Sequence, residues 1–247
     1  MHGVNVRFAR EGEFPFVVSI TNTIQNNQRP EANHVCTGTL VSKRDVVTAD
    51  HCVSTFTDQT ITIIAGSHDI RHGTRYGVLW WLSYNQFSTI QHSIPVYEHN
   101  DITMIRLNQT VPDNIVPPPI SYVAKHVMLR STLQTAGFGV TSNLLMAGLM
   151  ETAKLKIIPK EQCEQRLSDL LNAAVVLDDN KFCAVADPFV LLDNKNSGSP
   201  VLYRGQLLGL HIETYPSHLN IYDPRRVNIL ISVPYYRRFV EAVIKNY

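Results

Sequence analysis

The chain has 247 residues, 44% of them hydrophobic and 17% charged, which suits one large packed unit or two small ones. Its 22 basic and 21 acidic residues leave a formal net charge of +1, so there is no electrostatic footprint for nucleic acid or an anionic membrane surface. No apolar run approaches the roughly 18–20 residues that a membrane-spanning helix needs.

Met1-His2-Gly3 lacks the charged-then-apolar pattern of a secretory leader, so either a leader precedes this sequence or the chain stays inside the cell. Short runs rich in β-branched and aromatic residues then recur at 14–20, 60–65, 102–107, 154–158 and 207–212, with turn signals between them, and read as strands. A Pro-rich stretch, 111–120, falls where two halves of a β protein could join. Pro159 opens a predicted helix that runs to Leu171, proline being favoured in a first turn. A second helix closes the chain, where Tyr236, Phe239, Val240, Val243 and Ile244 form an i, i+3, i+4 stripe. Many short strands with a terminal helix predict barrels or a sandwich.

Four cysteines, Cys36, Cys52, Cys163 and Cys183, allow three connectivities and lack the C-x-x-C spacing of a zinc site. Pairing within each half would close two short loops, each worth roughly 3 kcal/mol in the chain-entropy model, and would imply an oxidising compartment. Reduced, buried thiols are the other possibility. His68 and His72 stand four apart, too little for a metal site, and none is assigned.

Three segments carry chemistry. Thr48-Ala49-Asp50-His51-Cys52 supplies a histidine, Asn100-Asp101-Ile102 an aspartate, and Lys195-Asn196-Ser197-Gly198-Ser199-Pro200 a serine between small residues. A serine hydroxyl is a poor nucleophile until a base takes its proton, and an aspartate fixes the tautomer of a histidine base. In this order, with Gly12-Glu13-Phe14-Pro15, Cys36-Thr37-Gly38, Thr135-Ala136-Gly137-Phe138-Gly139 and the closing helix, the chain resembles the chymotrypsin/trypsin-like serine proteases over nearly its whole length.

The resemblance implies an all-β fold of two six-stranded antiparallel β-barrels, about 13–110 and 121–233, and a C-terminal helix at about 234–246, forming one domain over 1–247. It implies a triad of His51, Asp101 and Ser197, a disulfide between Cys163 and Cys183, secretion, and a protein or peptide as substrate or partner. No cofactor, metal, nucleic acid or membrane is expected, and the chain is expected to be a monomer.

Several supporting residues depart from the family pattern. Lys195 stands where the family's oxyanion loop has glycine, so its peptide could flip or its side chain could overhang the cleft. Asn196 replaces the aspartate that binds the α-ammonium group released by zymogen cleavage. The corresponding new terminus would begin at Gly3-Val4, so both halves of that ion pair look absent. The same Asn-Ser-Gly-Ser-Pro run resembles the bacterial glutamyl endopeptidases, which need no such pair. Ile212-Glu213-Thr214 replaces the Ser-Trp-Gly edge, and Thr214 should narrow the primary pocket. Leu191 is expected at the pocket floor, with no carboxylate for a basic substrate side chain. Asp193 replaces a cysteine that braces the pocket wall. His211 falls where the glutamyl enzymes bind an acidic side chain, although a satisfied core histidine is the simpler reading. Ser67 replaces a calcium-loop glutamate. The sequence therefore predicts a secreted homologue with its triad retained and its peptidase activity weak or lost, acting by binding; the alternative is an active endopeptidase that forms an acyl-enzyme at Ser197.

Overall fold

The runs read as strands pair antiparallel in a computed structural model that describes residues 1–23, 29–97, 99–123, 129, 131–140, 148–192, 195–217 and 223–247. Two short strands, β1 (His2–Gly3) and β2 (Arg7–Phe8), open the chain. Next, β3 (Val17–Asn22), β4 (His34–Leu40), β5 (Asp45–Thr48), β6 (Ile61–Ala65), β7 (Thr74–Ser83) and β8 (Thr103–Leu107) close a barrel in the order β3-β4-β5-β8-β7-β6. Val18, Ile20, Leu40, Val46, Ile63, Ile105 and Leu107 point into it and are fully buried, which is why the β-branched runs fold as they do.

The second barrel is built from β9 (Thr132–Gly137), β10 (Glu151–Ile157), β11 (Lys181–Val185), β13 (Pro200–Tyr203), β14 (Gln206–Tyr215) and β15 (Val227–Ser232). Pairing of β10 with β11 closes it, and β2 adds to the outside of β10. The two-residue strand β12 (Val190–Leu191) pairs with β1 instead. Leu133, Leu155, Val201, Leu208 and Leu230 fill this core. A separate apolar cluster, including Val47, Met104, Phe138, Leu210, Tyr236 and Phe239, spans the space between the barrels.

Among the described residues, three α-helices decorate the strands. The predicted middle helix is α2 (Lys160–Leu171), with Pro159 as its N-cap and Asn172 ending it in the left-handed region at φ 51°. It carries Cys163 to Cys183 on β11, and the disulfide between them is formed, as is Cys36–Cys52. The closing helix, α3 (Arg237–Asn246), buries Phe239, Val240 and Val243, but Ile244 at the edge of the stripe stays 37% exposed. The sequence reading missed α1 (Tyr84–Ile90), whose capping box joins Ser83 to Gln86 in both directions. Its Tyr84 and Phe87 rings stack on Phe239 at 5.6 and 5.1 Å, so α1 is the seat on which α3 docks.

Candidate active site

Strand β5 ends at Thr48 and the chain turns through a 3₁₀ turn, Asp50–Cys52, which places His51 at the mouth of the cleft between the barrels. The Cys36–Cys52 bridge ties this turn to β4. Asp101 lies just before β8 and grips the histidine twice: its carboxylate accepts from His51 Nδ1 at 2.7 Å and from the His51 amide at 2.9 Å. Two acceptor contacts on one carboxylate fix both the tautomer and the position of the ring. The preceding residue, Asn100, is buried, donates to Asn85 and accepts from the Tyr236 hydroxyl at 2.6 Å. The aspartate therefore hangs from the junction of α1 and α3.

Ser197 enters from the other barrel on a loop whose glycines are obligatory. Gly198 has φ 81°, and a Cβ there would sit 1.9 Å from the Thr37 carbonyl oxygen. Gly139 closes the Gly-Phe-Gly turn against the same loop; a Cβ on it would meet Asn196 Nδ2 at 2.0 Å. Both explain why these small residues flank the serine. His51, Ser197 and Lys195 line one cleft of about 530 Å³. Within it the Ser197 hydroxyl donates to the Ile212 carbonyl at 3.3 Å, and among the described residues it makes no hydrogen bond to His51.

Lys195 adopts the left-handed backbone that its glycine counterpart would take freely, at φ 68°. That conformation costs a non-glycine residue about 1–2 kcal/mol. His34, which sequence reasoning missed, offsets it: Nε2 lies 3.0 Å from the Lys195 carbonyl, and Nδ1 lies 2.7 Å from the Ser19 hydroxyl. A carbonyl only accepts, so Nε2 carries the proton and the Ser19 hydroxyl donates to Nδ1. Burial pushes the His34 pKa down to about 3, so it stays neutral and keeps this tautomer at physiological pH. The contact holds the peptide between Lys195 and Asn196, whose carbonyl faces the first barrel. Among the described residues neither the Lys195 nor the Ser197 N–H has an intramolecular acceptor. The Lys195 side chain does line the cleft, and burial lowers its pKa.

The electrostatics around His51 are unusually acidic. Burial pulls its pKa down, but the Asp101 hydrogen bond and charge, with the carboxylates of Asp50 and Glu213, outweigh burial and leave the pKa above 6.5. Asp50 and Glu213 are themselves pushed up, first by burial and then by Asp101. A histidine with a raised folded pKa stabilises the fold fully below its unfolded pKa and loses that contribution as pH rises through the folded value. NMR titration of the His51 ring should give a midpoint above 6.5 that falls in Glu213→Gln and again in Asp50→Asn; a midpoint unmoved by both would refute this field.

The primary pocket is filled from within. Thr214, 3% exposed, places its hydroxyl 3.0 Å from His211 Nε2, 2.9 Å from the Leu192 carbonyl and 3.0 Å from Asn228 Oδ1. Asn228, fully buried, also accepts from the Leu192 amide and donates to the carbonyls of Ala184 and Val190. The threonine thus narrows the pocket, and His211, 2% exposed, sets its Nε2 against Thr214 while lining the same cleft. Leu191, expected at the floor, is instead buried opposite His2 in the β1–β12 pair, and Leu192 lines the cleft. Asp193 lies outside the described residues. In the loop after β6, the Ser67 hydroxyl accepts from the Asp69 amide, and Asp69 binds Arg71 and, at 3.3 Å, His72. Among the described residues, one close trio of metal-ligand type, Cys36, His51 and Cys52, has both sulfurs bound in the disulfide.

Asn196 is fully buried beside the Gly139 turn.

A family model described as Trypsin matches residues 4–240. Among curated proteins, the chain is 23% identical to trypsin iota of Drosophila melanogaster over 72% of this chain and 68% of that one. It is 22% identical to serine protease SP24D of Anopheles gambiae over 82% and 68% respectively. Among solved structures, neuropsin, a serine protease of mouse brain, superposes with a TM-score of 0.76 at 17% identity, covering 97% of this chain and 99% of that one, which bears on fold alone.

Proposed function

From a chain that belongs to the trypsin family of serine proteases, we propose a secreted homologue that engages a polypeptide in its cleft and turns it over weakly or not at all. The observation that carries this reading is the Thr214–His211–Asn228 cluster, which puts a hydrogen-bonded threonine at the cleft edge where the family pattern has glycine. The Ser197 hydroxyl directed at Ile212 rather than His51 acts in the same direction. The protein then works by binding, as a decoy for a protease's partner or as a cofactor in a proteolytic cascade, and as a monomer. Two closed disulfides suit an oxidising, extracellular setting.

One observation favours the second reading, an active endopeptidase that forms an acyl-enzyme at Ser197. Among the described residues the Lys195 and Ser197 N–H groups have no intramolecular acceptor, which leaves them free for an oxyanion. Hydrogen bonds to the serine in an unliganded site are often long and tighten only with substrate.

Incubation with a broad peptide library separates the two. The proposal expects wild-type and Ser197→Ala protein to give the same background hydrolysis. Cleavage that disappears in Ser197→Ala would overturn it in favour of the peptidase.

A further inference from the structure

A second groove, of about 520 Å³, lies on the second barrel and shares no lining residue with the cleft. It comes from a gap in the sheet. Strand β10 pairs with β9 from Glu151 to Lys156. On its other side it pairs with β2 only at Glu151 and Thr152, and with β11 only at Lys156 and Ile157. The three residues between, 153–155, have a strand on one side only, and they line the groove. Asn5, at φ 68°, turns the chain before β2 can extend along them, and β11 ends at Val185. An edge left in this way presents backbone N–H and C=O groups that another extended chain can pair.

The groove is also cationic. Lys154 and Lys156 line it, both exposed, and as alternate residues of one strand they share a face about 7 Å apart. Among the described residues neither has an ion-pair partner, whereas the third cation of the lining, Arg7, is held by both carboxylate oxygens of Glu13. Across β9, Gln134 stands opposite Lys154 and Thr132 opposite Lys156, so neither ammonium faces an acid there. Asp187 is the one carboxylate among the lining residues. Side chains of a second extended chain alternate with the same spacing, so two carboxylates set two residues apart would meet both lysines.

We propose that this groove binds a short, extended, acidic segment of a partner polypeptide. The segment adds a strand to β10 between β2 and β11 and sets two carboxylates against Lys154 and Lys156. A sulfated glycan would satisfy the lysines but not the backbone edge, which favours a polypeptide. The surface is separate from the cleft, so the inference holds whether or not Ser197 is armed.

The test compares a fluorescein-labelled pentapeptide, Thr-Glu-Val-Glu-Thr, with its counterpart Thr-Gln-Val-Gln-Thr, using anisotropy for affinity and NMR amide shifts for location. The acidic peptide is expected to bind roughly 2- to 30-fold more tightly, the range that two exposed ion pairs give. Added salt should shrink this advantage, and the largest amide shifts should fall on residues 153–155. Lys154→Gln with Lys156→Gln should abolish the advantage and leave the melting temperature unchanged, since both side chains are exposed. Lys195→Ala, which removes a cation from the cleft, should leave the advantage intact. Its loss in Lys195→Ala would place the recognition in the cleft and overturn the proposal, as would equal binding of the two peptides. A sulfated oligosaccharide that binds where the acidic peptide does not, with the amides of 153–155 unmoved, would overturn it in favour of a glycan surface.

Discussion

Gly198→Ala is expected to destabilise the protein by about 3–5 kcal/mol, from overpacking and from forcing alanine into a left-handed backbone. The added Cβ would lie 1.9 Å from the Thr37 carbonyl oxygen and 2.2 Å from Thr48 Oγ1, groups on two strands of the first barrel. Neither is the end of a flexible chain: Thr48 Oγ1 already donates to that carbonyl at 2.8 Å, and the Thr37 amide donates to the Ser197 carbonyl at 2.9 Å. The serine loop would have to withdraw from the first barrel, separating Ser197 from His51. Thermal unfolding checks this, with a fall in melting temperature of roughly 6–20 °C for a domain of this size. A variant with unchanged melting temperature would mean that the two barrels do not meet at this loop.

The second large effect is loss of the Cys36–Cys52 bridge. The cysteines are 16 residues apart, and a loop of that length stabilises by about 3 kcal/mol through the unfolded chain. Cys36→Ala with Cys52→Ala should lower stability by about that amount in denaturant titration, with m somewhat raised because the unfolded chain, freed of the cross-link, exposes more surface. The local consequence exceeds the global one, since Cys52 follows His51 directly in a turn of three residues. Hydrogen exchange around residues 50–54 should rise more than in β8, which the first barrel buries. Equal protection in both places would show that the Asp101 contacts alone hold the turn.

Much of this molecule was legible before any coordinates. Strand runs, the Pro159 helix and the closing amphipathic helix announce themselves through local period and capping. The triad does so because each member sits in a distinctive short segment. What stayed hidden has a common cause: it depends on partners far away in the chain. His34 gains its role only by reaching Lys195 across 161 residues. Thr214 was read as a pocket-narrowing residue, but the cluster it forms needs Asn228 and His211, which the bulge in β14 between His211 and Glu213 brings beside it. Near the pocket floor Leu191 and Leu192 are both buried, but Leu191 pairs with His2 while Leu192 lines the cleft, since successive side chains of an extended segment face opposite sides. Helix α1 is a different case, since Ser83 and Gln86 spell a capping box that the sequence alone could have revealed.

The central claim is that this cleft retains its triad and lacks an armed serine. Covalent labelling by a fluorophosphonate, read by intact mass against Ser197→Ala, tests it most directly, because the probe needs an activated hydroxyl and an oxyanion hole but little pocket recognition. Loss of one oxyanion donor alone slows such chemistry by roughly 10²–10³. The account predicts no stoichiometric adduct under conditions that fully label an active trypsin. A complete adduct on the wild-type chain, absent in Ser197→Ala, would contradict it and make the protein a working protease.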